Sequence, residues 1–201
     1  MIKMKHLFKY IVKLIWFNKI YNRVTILKEN VSIGNSWEID GRICVHNKGS
    51  ILIGSNVRVN SSSKYNIIGG DTRTNFIINE NSFFKVGNNV GISNSTFVCR
   101  VGITIEDDVL IGGGCKIYDN DFHSLDIEIR KMYFKNNQID LECKAMEIRL
   151  CKGAWICGHS IILKGVTVGE NSIVGAGSVV TKSIPSNEIW AGNPAVFIRK
   201  V

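Results

Sequence analysis

Proline is scarce in this sequence. The 201 residues include only Pro185 and Pro194, both near the C-terminus. Because proline breaks the hydrogen-bond ladder of a sheet, its absence from the first 184 residues permits regular strands there. CxxC pairs are also missing, although the chain has six cysteines, which argues against a zinc cluster or a disulfide framework. We therefore expect reduced cysteines in a cytoplasmic protein.

Acidic side chains are almost missing from residues 1–30. This segment carries seven basic side chains against Glu29 alone, so it accounts for +6 of the total charge of +8. Apolar residues at helical spacing alternate with a lysine stripe, which predicts a basic amphipathic helix over 1–30. The lysines interrupt every apolar stretch before it reaches the ~20 residues that a membrane span needs.

Two interpretations of this helix stay open. It can cap the open end of the domain that follows, or residues 1–25 can lie on an anionic membrane surface. The second interpretation would make the protein peripheral on the inner face of the membrane. Nucleic acid is not an expected partner, because no nucleic-acid-binding motif accompanies the basic residues and the rest of the chain carries only +2.

A repeat of six residues dominates the segment 31–185. Aliphatic residues recur six apart without a slip at Ile156, Ile162, Val168, Val174 and Val180. Mostly small residues follow four positions later, at Ser160, Val166, Ser172 and Ser178. A period of six fits neither a single helix nor an alternating strand, and it predicts a triangular coil with one short strand per face and the leading aliphatics inside.

The repeat is interrupted at several places. The spacing from Val98 to Ile105 is seven instead of six, and residues 47–53 and 60–75 are irregular, which predicts outward loops. Residues 124–149 leave the repeat altogether, and residues 186–201 form a separate C-terminal tail after the last clean repeat. Loops longer than about 12–15 residues inside a compact domain are usually functional or disordered. The aromatic and aliphatic content of 124–149 indicates that this excursion packs.

A histidine stands directly ahead of the excursion, in the stretch "YDNDFHSLD". Neutral imidazole has a pKa near the working pH, so His123 is suited to act as a general base on a hydroxyl or an amine. Asp119, Asp121, Asp126 or a backbone carbonyl could orient its ring. A surface histidine without catalytic function is the plain alternative.

Other chemistries find less support in the sequence. His46, His123 and His159 are the candidate metal ligands, but no two of them are close together in the chain, so no metal is expected. The G-x-S-x-G elbow of serine hydrolases is missing, and so are the glycine-rich phosphate-binding loops.

Several motifs together resemble a known family. The repeats, "DNDFHSLD", "WICGHSIILKGVTVGENSIVGAGSVVTKSIP" and "AGNPA" are similar to the hexapeptide-repeat acyltransferases over about residues 80–200. The resemblance is strongest to maltose/galactoside O-acetyltransferases and to the O-acetyltransferases of bacterial surface polysaccharides. It implies an all-β left-handed parallel β-helix that forms a homotrimer, with active sites between neighbouring subunits and acetyl-CoA along the C-terminal coils.

The resemblance also implies residue roles. His123 corresponds to the general base, oriented by Asp121 or Asp126, and Asn94 to an acceptor-binding asparagine. The implied coenzyme A contacts are Trp155, Gly158, Ala176, Thr181, Lys182 and Arg199. Lysine and arginine are suitable phosphate donors. The chain departs from the family in "DFH" for "NHP" and in "WICG" for "WIGG". The first departure shifts the expected acceptor from small free sugars toward surface polysaccharides.

The expected function is therefore direct transfer of acetyl from acetyl-CoA to a sugar hydroxyl of a bacterial surface polysaccharide or its precursor. A nucleotide-sugar N-acetyltransferase and a serine O-acetyltransferase are the alternatives within the same chemistry. A non-catalytic β-helical scaffold and a metal hydratase are alternatives of another class.

Overall fold

The computed structural model describes residues 16–70, 73–136, 140 and 142–201. Residues 16–28 form helix α1, so the first half of the predicted basic helix lies outside the described residues. The rest of the described chain consists mainly of short strands that wind around a common axis. A second helix, α2 (Ile127–Lys135), and a 3₁₀ turn (Ile67–Gly69) lie in insertions between strands.

The strands build three sheets, which are the faces of a triangular prism. Face A consists of β1 (Val31–Ile33), β4 (Ser50–Ile53), β7 (Phe83–Val86), β10 (Gly102–Ile105), β13 (Ile148–Leu150) and β16 (Thr167–Val168). Face B consists of β2 (Glu38–Gly41), β5 (Arg58–Ser61), β8 (Gly91–Ser93), β11 (Leu110–Ile111), β14 (Trp155–Ile156), β17 (Ile173–Val174), β19 (Glu188–Gly192) and β20 (Ala195–Lys200). Face C consists of β3 (Cys44–Asn47), β6 (Asn75–Ile78), β9 (Thr96–Cys99), β12 (Lys116–Tyr118), β15 (Ile161–Ile162) and β18 (Val179–Val180).

The chain visits the faces in the order A, B, C, so each coil passes three edges, which we call AB, BC and CA. Strands of successive coils pair in parallel, as in the register Leu110 to Trp155 to Ile173 on face B. The exception is the C-terminal hairpin, in which β20 runs antiparallel to β19. The predicted triangular coil is therefore confirmed.

The aliphatic rows fill the prism. The five leading residues of the clean repeats are fully buried, as predicted: Ile156, Ile162, Val168, Val174 and Val180. Toward the N-terminal coils, Phe76, Phe84 and Phe97 take over, with ring centroids 5.1–5.4 Å apart. Such aromatic clusters contribute beyond their buried area.

The serines at the edges form hydrogen bonds with turn carbonyls. The buried Ser160 hydroxyl donates to the carbonyls of Cys157 and Gly175, at 2.8 and 3.0 Å. Ser178 repeats the arrangement one coil later, donating to Gly175 at 2.6 Å. A small hydroxyl fits the edge and donates to a turn carbonyl, which explains why serine recurs at Ser160, Ser172 and Ser178.

Two predicted irregularities are wrong. Residues 47–53 are not an outward loop, because β3 runs to Asn47, β4 begins at Ser50, and a tight turn at Gly49 joins them. A Cβ at Gly49 would lie 2.4 Å from the Ser82 carbonyl oxygen, so only glycine fits. The seven-residue step is also misplaced: Phe97 and Cys99 point inward, Val98 is only half-buried, and the register pairs Phe97 with Ile117, so the extra length lies between Phe97 and Ile105.

The predicted loop at 60–75 is real where the structure describes it. It leaves edge BC after Ser61 and returns at β6, and we call residues 62–70 the BC insertion. The excursion leaves edge CA after Tyr118 and returns at Ile148, so its bounds are 119–147 instead of 124–149. Its ends pack, with Asp140 and Cys143 buried, whereas no residue of α2 is buried.

Helix α1 caps the N-terminal end of the prism. Ile26 joins the core, and the buried Asn22 side chain donates to Gly41 O and accepts from Ile43 N. These bonds satisfy backbone groups of the first coil that have no preceding coil to pair with. The capping interpretation is thereby confirmed for the described part of the helix. In the same part of the chain, no helix has the length and apolar character needed to cross a membrane.

Candidate active site

The segment that carries His123 is tied to the coil by a buried carboxylate. Asp119 has no exposed surface, and its two oxygens accept the backbone amides of Arg100, Val101 and Gly102 at 2.7–2.8 Å. These amides belong to the turn of the preceding coil at edge CA. A carboxylate held by several amide donors is a strong, charge-assisted anchor. The excursion therefore starts from a fixed point four residues before His123.

Further bonds hold the strand-like start of the excursion. The Asp121 amide donates to Lys144 O at 3.0 Å, and its carboxylate accepts from Lys164 Nζ at 2.5 Å. Beyond the histidine, the Ser124 amide donates to the buried Asp140 carboxylate at 2.5 Å. His123 thus lies between two fixed points on an insertion that is otherwise exposed.

The local backbone presents His123 outward. Phe122 has a φ of +61°, in the left-handed region that non-glycine residues rarely adopt. Its ring lies 5.3 Å from the Tyr118 ring, and its amide donates to Asn120 Oδ1 at 2.9 Å. These contacts keep the unusual conformation, and the His123 side chain is exposed at the turn that follows. Strained backbone held by its surroundings is frequent at functional sites.

The two predicted orienting residues have other partners here. The Asp121 carboxylate pairs with Lys164, and the Asp126 carboxylate accepts the Glu128 and Ile129 amides as the N-cap of α2. Among the described residues, no hydrogen bond joins the His123 ring to either carboxylate. Their orienting role stays a prediction.

The predicted coenzyme A contacts occupy two different edges. Trp155 lies on face B, 47% exposed, with Gly158 and Ala176 at the adjoining edge BC. Thr181 and Lys182 lie at edge CA, in the column that also contains Lys164 and the excursion with His123. Arg199 lies on β20, exposed beyond face B.

Face C separates these groups. From Ser160 at edge BC to Lys164 at edge CA the chain advances four extended residues, about 13 Å at roughly 3.3 Å each. A thioester carbon beside Trp155 and Gly158 of one copy therefore cannot lie within bonding reach of His123 of that same copy. The predicted residues form one site only if edge CA of one copy meets edge BC or face B of another.

Asn94 lies at edge BC and is fully buried. Its Nδ2 donates to Asn66 O of the BC insertion at 2.7 Å. The insertion continues along the edge, where a Cβ at Gly113 would lie 2.6 Å from Gly69 N and one at Gly158 would lie 3.2 Å from Ile68 Cγ2. The structure thus gives Asn94 the task of holding the insertion, and acceptor binding by this residue stays a prediction.

Sequence reasoning missed the neighbours of this edge. Ile67 and Ile68 are 81% and 61% exposed, and Ile68 borders Gly158, one of the predicted coenzyme A contacts. The irregular period at 60–75 showed that a loop exists, but not that it lies along the edge of the predicted donor site. Asp119 was considered only as an orienting group, and its anchoring role depends on a turn 17–19 residues earlier.

The cysteines near the site are not activated. Burial raises the pKa of the Cys157 thiol, and it also raises the pKa of the Cys115 thiol, whose Sγ donates to Cys157 O at 3.2 Å. A raised pKa keeps a thiol protonated at neutral pH and therefore weakly nucleophilic. Neither residue is suited to form an acyl-enzyme.

The three histidines that were candidate metal ligands lie on different elements. His46 lies on β3, His159 at edge BC and His123 in the excursion. Over the part of the chain that the structure describes, no group of three or more histidine, cysteine, aspartate or glutamate side chains is placed to hold a metal ion.

Comparison with known proteins gives a consistent result. Residues 147–182 match the family model "Bacterial transferase hexapeptide (six repeats)". The galactoside O-acetyltransferase of Escherichia coli K12 is 36% identical over 126 residues, which is 59% of this chain and 58% of that protein. The match thus spans little more than half of that relative's length.

Solved structures extend the likeness to most of the chain. A galactoside acetyltransferase in complex with coenzyme A has a TM-score of 0.56 at 26% identity, covering 89% of this chain and 69% of that one. A hexapeptide-repeat acetyltransferase of Vibrio cholerae O1 biovar eltor, complexed with acetyl coenzyme A, has a TM-score of 0.58 at 23% identity, covering 89% and 75%. The fold is a left-handed parallel β-helix. In sequence, the chain is similar to bacterial hexapeptide transferases over residues 147–182 and to a galactoside O-acetyltransferase over 126 residues.

Proposed function

We propose that the protein is an acetyl-CoA-dependent O-acetyltransferase that acts on a sugar hydroxyl of a bacterial surface polysaccharide or its precursor. The observation that carries this proposal is the placement of His123, which is exposed at the lip of an insertion fixed by Asp119 on one side and Asp140 on the other. Galactoside O-acetyltransferase, the relative at 36% identity, gives the reaction class its support.

The chemistry needs one proton carrier. Neutral His123 takes the proton from the acceptor hydroxyl while the hydroxyl oxygen forms a bond to the thioester carbonyl carbon. The carbon–sulfur bond then breaks, and the coenzyme A thiolate leaves with the proton from the imidazolium. The raised pKa values of the Cys115 and Cys157 thiols support direct transfer without an acyl-enzyme.

The donor would lie along the C-terminal coils. Trp155, Gly158 and Ala176 are placed on face B and edge BC where a pantetheine arm can follow the coil axis. Lys182 and Arg199 are exposed cations, and among the described residues neither forms an ion pair within the chain. They are therefore available to coenzyme A phosphates.

The separation of the two edges favours a homotrimer. Edge CA and edge BC are different surfaces, so a contact between them is heterologous, and repeated contacts of this kind form a ring when the rotation between copies closes. In a ring of three, His123 of each copy would meet the donor site of a neighbour. The saccharide acceptor would enter beside Asn94 and the BC insertion, which border the same edge.

We also propose that the protein works in the cytoplasm at the inner face of the membrane, where the basic N-terminal segment would keep it close to a membrane-borne glycan precursor. The charge of +6 on residues 1–30 supports this location.

Replacing His123 tests the reaction. His123→Ala should lower acetyl transfer to a saccharide acceptor by roughly 10²–10⁴ while the circular dichroism spectrum and the oligomeric state stay the same. His46→Ala is the matched control, because it removes another exposed histidine, on β3 at the N-terminal end of face C. The acceptor panel includes an amine on a nucleotide-sugar and serine. Full activity of His123→Ala, or acetylation of the amine or serine alone, would contradict the proposal.

A further inference from the structure

Helix α1 has a second apolar side that faces away from the prism. Its inner side carries Asn22 and Ile26, which are buried on the first coil. With about 100° between successive residues, the exposed apolar residues fall on the opposite side. These residues, which we call the outer stripe, are Trp16, Phe17, Ile20, Tyr21, Val24 and Leu27, with exposures from 36% to 79%.

Cations accompany the outer stripe. Lys19 and Arg23 lie along one border and Lys28 lies at the C-terminal end of the stripe, all exposed. Residues 16–28 of the helix contain no acid. Glu29, directly after them, is half-buried, accepts the Asn47 amide at 3.0 Å on the inner side and lies 3.9 Å from Lys28 Nζ. An apolar stripe with aromatic residues and basic borders is the pattern of a helix that lies in a membrane interface.

A basic cleft opens beside the start of the helix at edge BC. It has a volume of about 220 Å³ and is lined by Asn18, Gly41, Arg42, Ser61, Ser62, Lys64, Tyr65 and Arg73. The Arg42 guanidinium lies 4.8 Å from the centroid of the Phe17 ring, so the cleft and the outer stripe are contiguous. Within the described part of the chain, Arg42, Lys64 and Arg73 have no carboxylate partner at ion-pair distance.

Among the described residues, Asp40 is an acid close enough to influence the cleft. Burial, and then the Asp40 charge, raise the pKa of the Tyr65 phenol. Tyr65 therefore remains a hydroxyl donor at neutral pH. Three cations and a hydroxyl donor form a set suited to a phosphate group.

We propose that this end of the prism docks on an anionic phospholipid surface, with the outer stripe in the interface and a headgroup phosphate in the basic cleft. The inference rests on the proposed membrane location and not on the acetyl transfer itself. The surface is separate from the site that a neighbouring copy would complete, because Trp155 and Gly158 lie in the C-terminal coils, whereas the cleft and the stripe lie at the first two coils and on helix α1. The positive charge of this end favours an anionic lipid surface as the partner, since residues 1–15 add four more lysines to the same end of the chain.

Vesicle flotation with the full chain tests the docking. Vesicles of phosphatidylcholine with about a third phosphatidylglycerol should bind the protein, and pure phosphatidylcholine should bind it at least tenfold more weakly. Lys64→Gln and Arg73→Gln, both at exposed positions, should each weaken binding about fivefold, since one charge near an anionic surface contributes about that factor. Lys48→Gln, an exposed lysine at edge CA, should leave it unchanged.

The outer stripe has its own matched pair. Leu27→Ser should weaken vesicle binding severalfold, whereas Phe134→Ser on α2, 87% exposed, should not. The docking is overturned if the protein binds neutral and anionic vesicles equally, or binds neither. It is also overturned if the cleft variants bind anionic vesicles as well as Lys48→Gln does, or if soluble glycerol phosphate at millimolar concentration displaces the protein from them. Acetyl transfer to a soluble acceptor, measured on the same preparations, separates this outcome from failure of the proposed reaction.

Discussion

Replacing Asp119 with asparagine tests how the excursion that carries His123 is held. The carboxylate is fully buried and accepts the amides of Arg100, Val101 and Gly102. Asparagine keeps one acceptor oxygen, which can still accept two of these amides, and places an NH₂ donor where the other carboxylate oxygen accepted the third. One amide then loses its partner, at about 1–3 kcal/mol, and two bonds lose charge assistance, at about 1 kcal/mol each. The expected loss is roughly 3–5 kcal/mol, a large part of the ~5–15 kcal/mol stability of a domain.

Thermal unfolding at one fixed protein concentration measures this loss. For a chain of this size 1 kcal/mol corresponds to about 2–4 °C, so Tm should fall by roughly 6–20 °C. Asp126→Asn is the control, since asparagine caps a helix as well as aspartate does and Tm should change by no more than about 2 °C. Acetyl transfer should also fall further in Asp119→Asn than in Asp126→Asn. If Asp119→Asn melts with the wild type, the anchoring role is wrong.

Two further predictions concern the core. Burial and the charge of Asp119 raise the pKa of Cys99 to about 12, whereas the thiol of an unfolded chain ionises near ~8.5. The contribution of Cys99 to the free energy of unfolding is therefore complete below about pH 8.5. It is lost as the pH rises toward the folded-state pKa, by up to about 1.4 kcal/mol per pH unit. Urea unfolding between pH 8 and 11 should show a shallower loss in Cys99→Ala than in the wild type, and identical slopes would speak against this. Phe84→Ala removes the fully buried centre of the aromatic cluster and should cost about 3–5 kcal/mol. The exposed Phe134→Ala should cost under about 0.5 kcal/mol by the same thermal measurement, so equal shifts for the two variants would refute the packing argument.

The coil could be predicted because the same residue pattern repeats in successive coils. In the clean repeats an aliphatic residue recurs every six residues, once per face, and stacks on its counterpart in the next coil, as Ile156 does on Val174. The serines that follow bind turn carbonyls in the same way in successive coils. The prediction failed where two adjacent residues were both acceptable. Val98 and Cys99 are both small and apolar, so the sequence did not show which one points inward.

Features of the site that depend on distant coils could not be predicted. The Asp119 anchor requires the amides of a turn in the previous coil, and nothing near "YDNDFHSLD" indicates that turn. The division of the predicted site residues between edges BC and CA depends on where the excursion leaves and rejoins the coil. Those bounds were predicted as 124–149, and the structure has them at 119–147.

A calorimetric titration of acetyl-CoA into the purified protein tests the proposed function most directly. Saturable binding near one acetyl-CoA per chain is expected, and Lys182→Ala should weaken it about tenfold or more, because a charge-assisted hydrogen bond to phosphate is lost. Lys48→Ala, at the same edge in an early coil, should bind like the wild type. No binding at millimolar acetyl-CoA would contradict the donor assignment and leave His123 as a surface histidine without catalytic function.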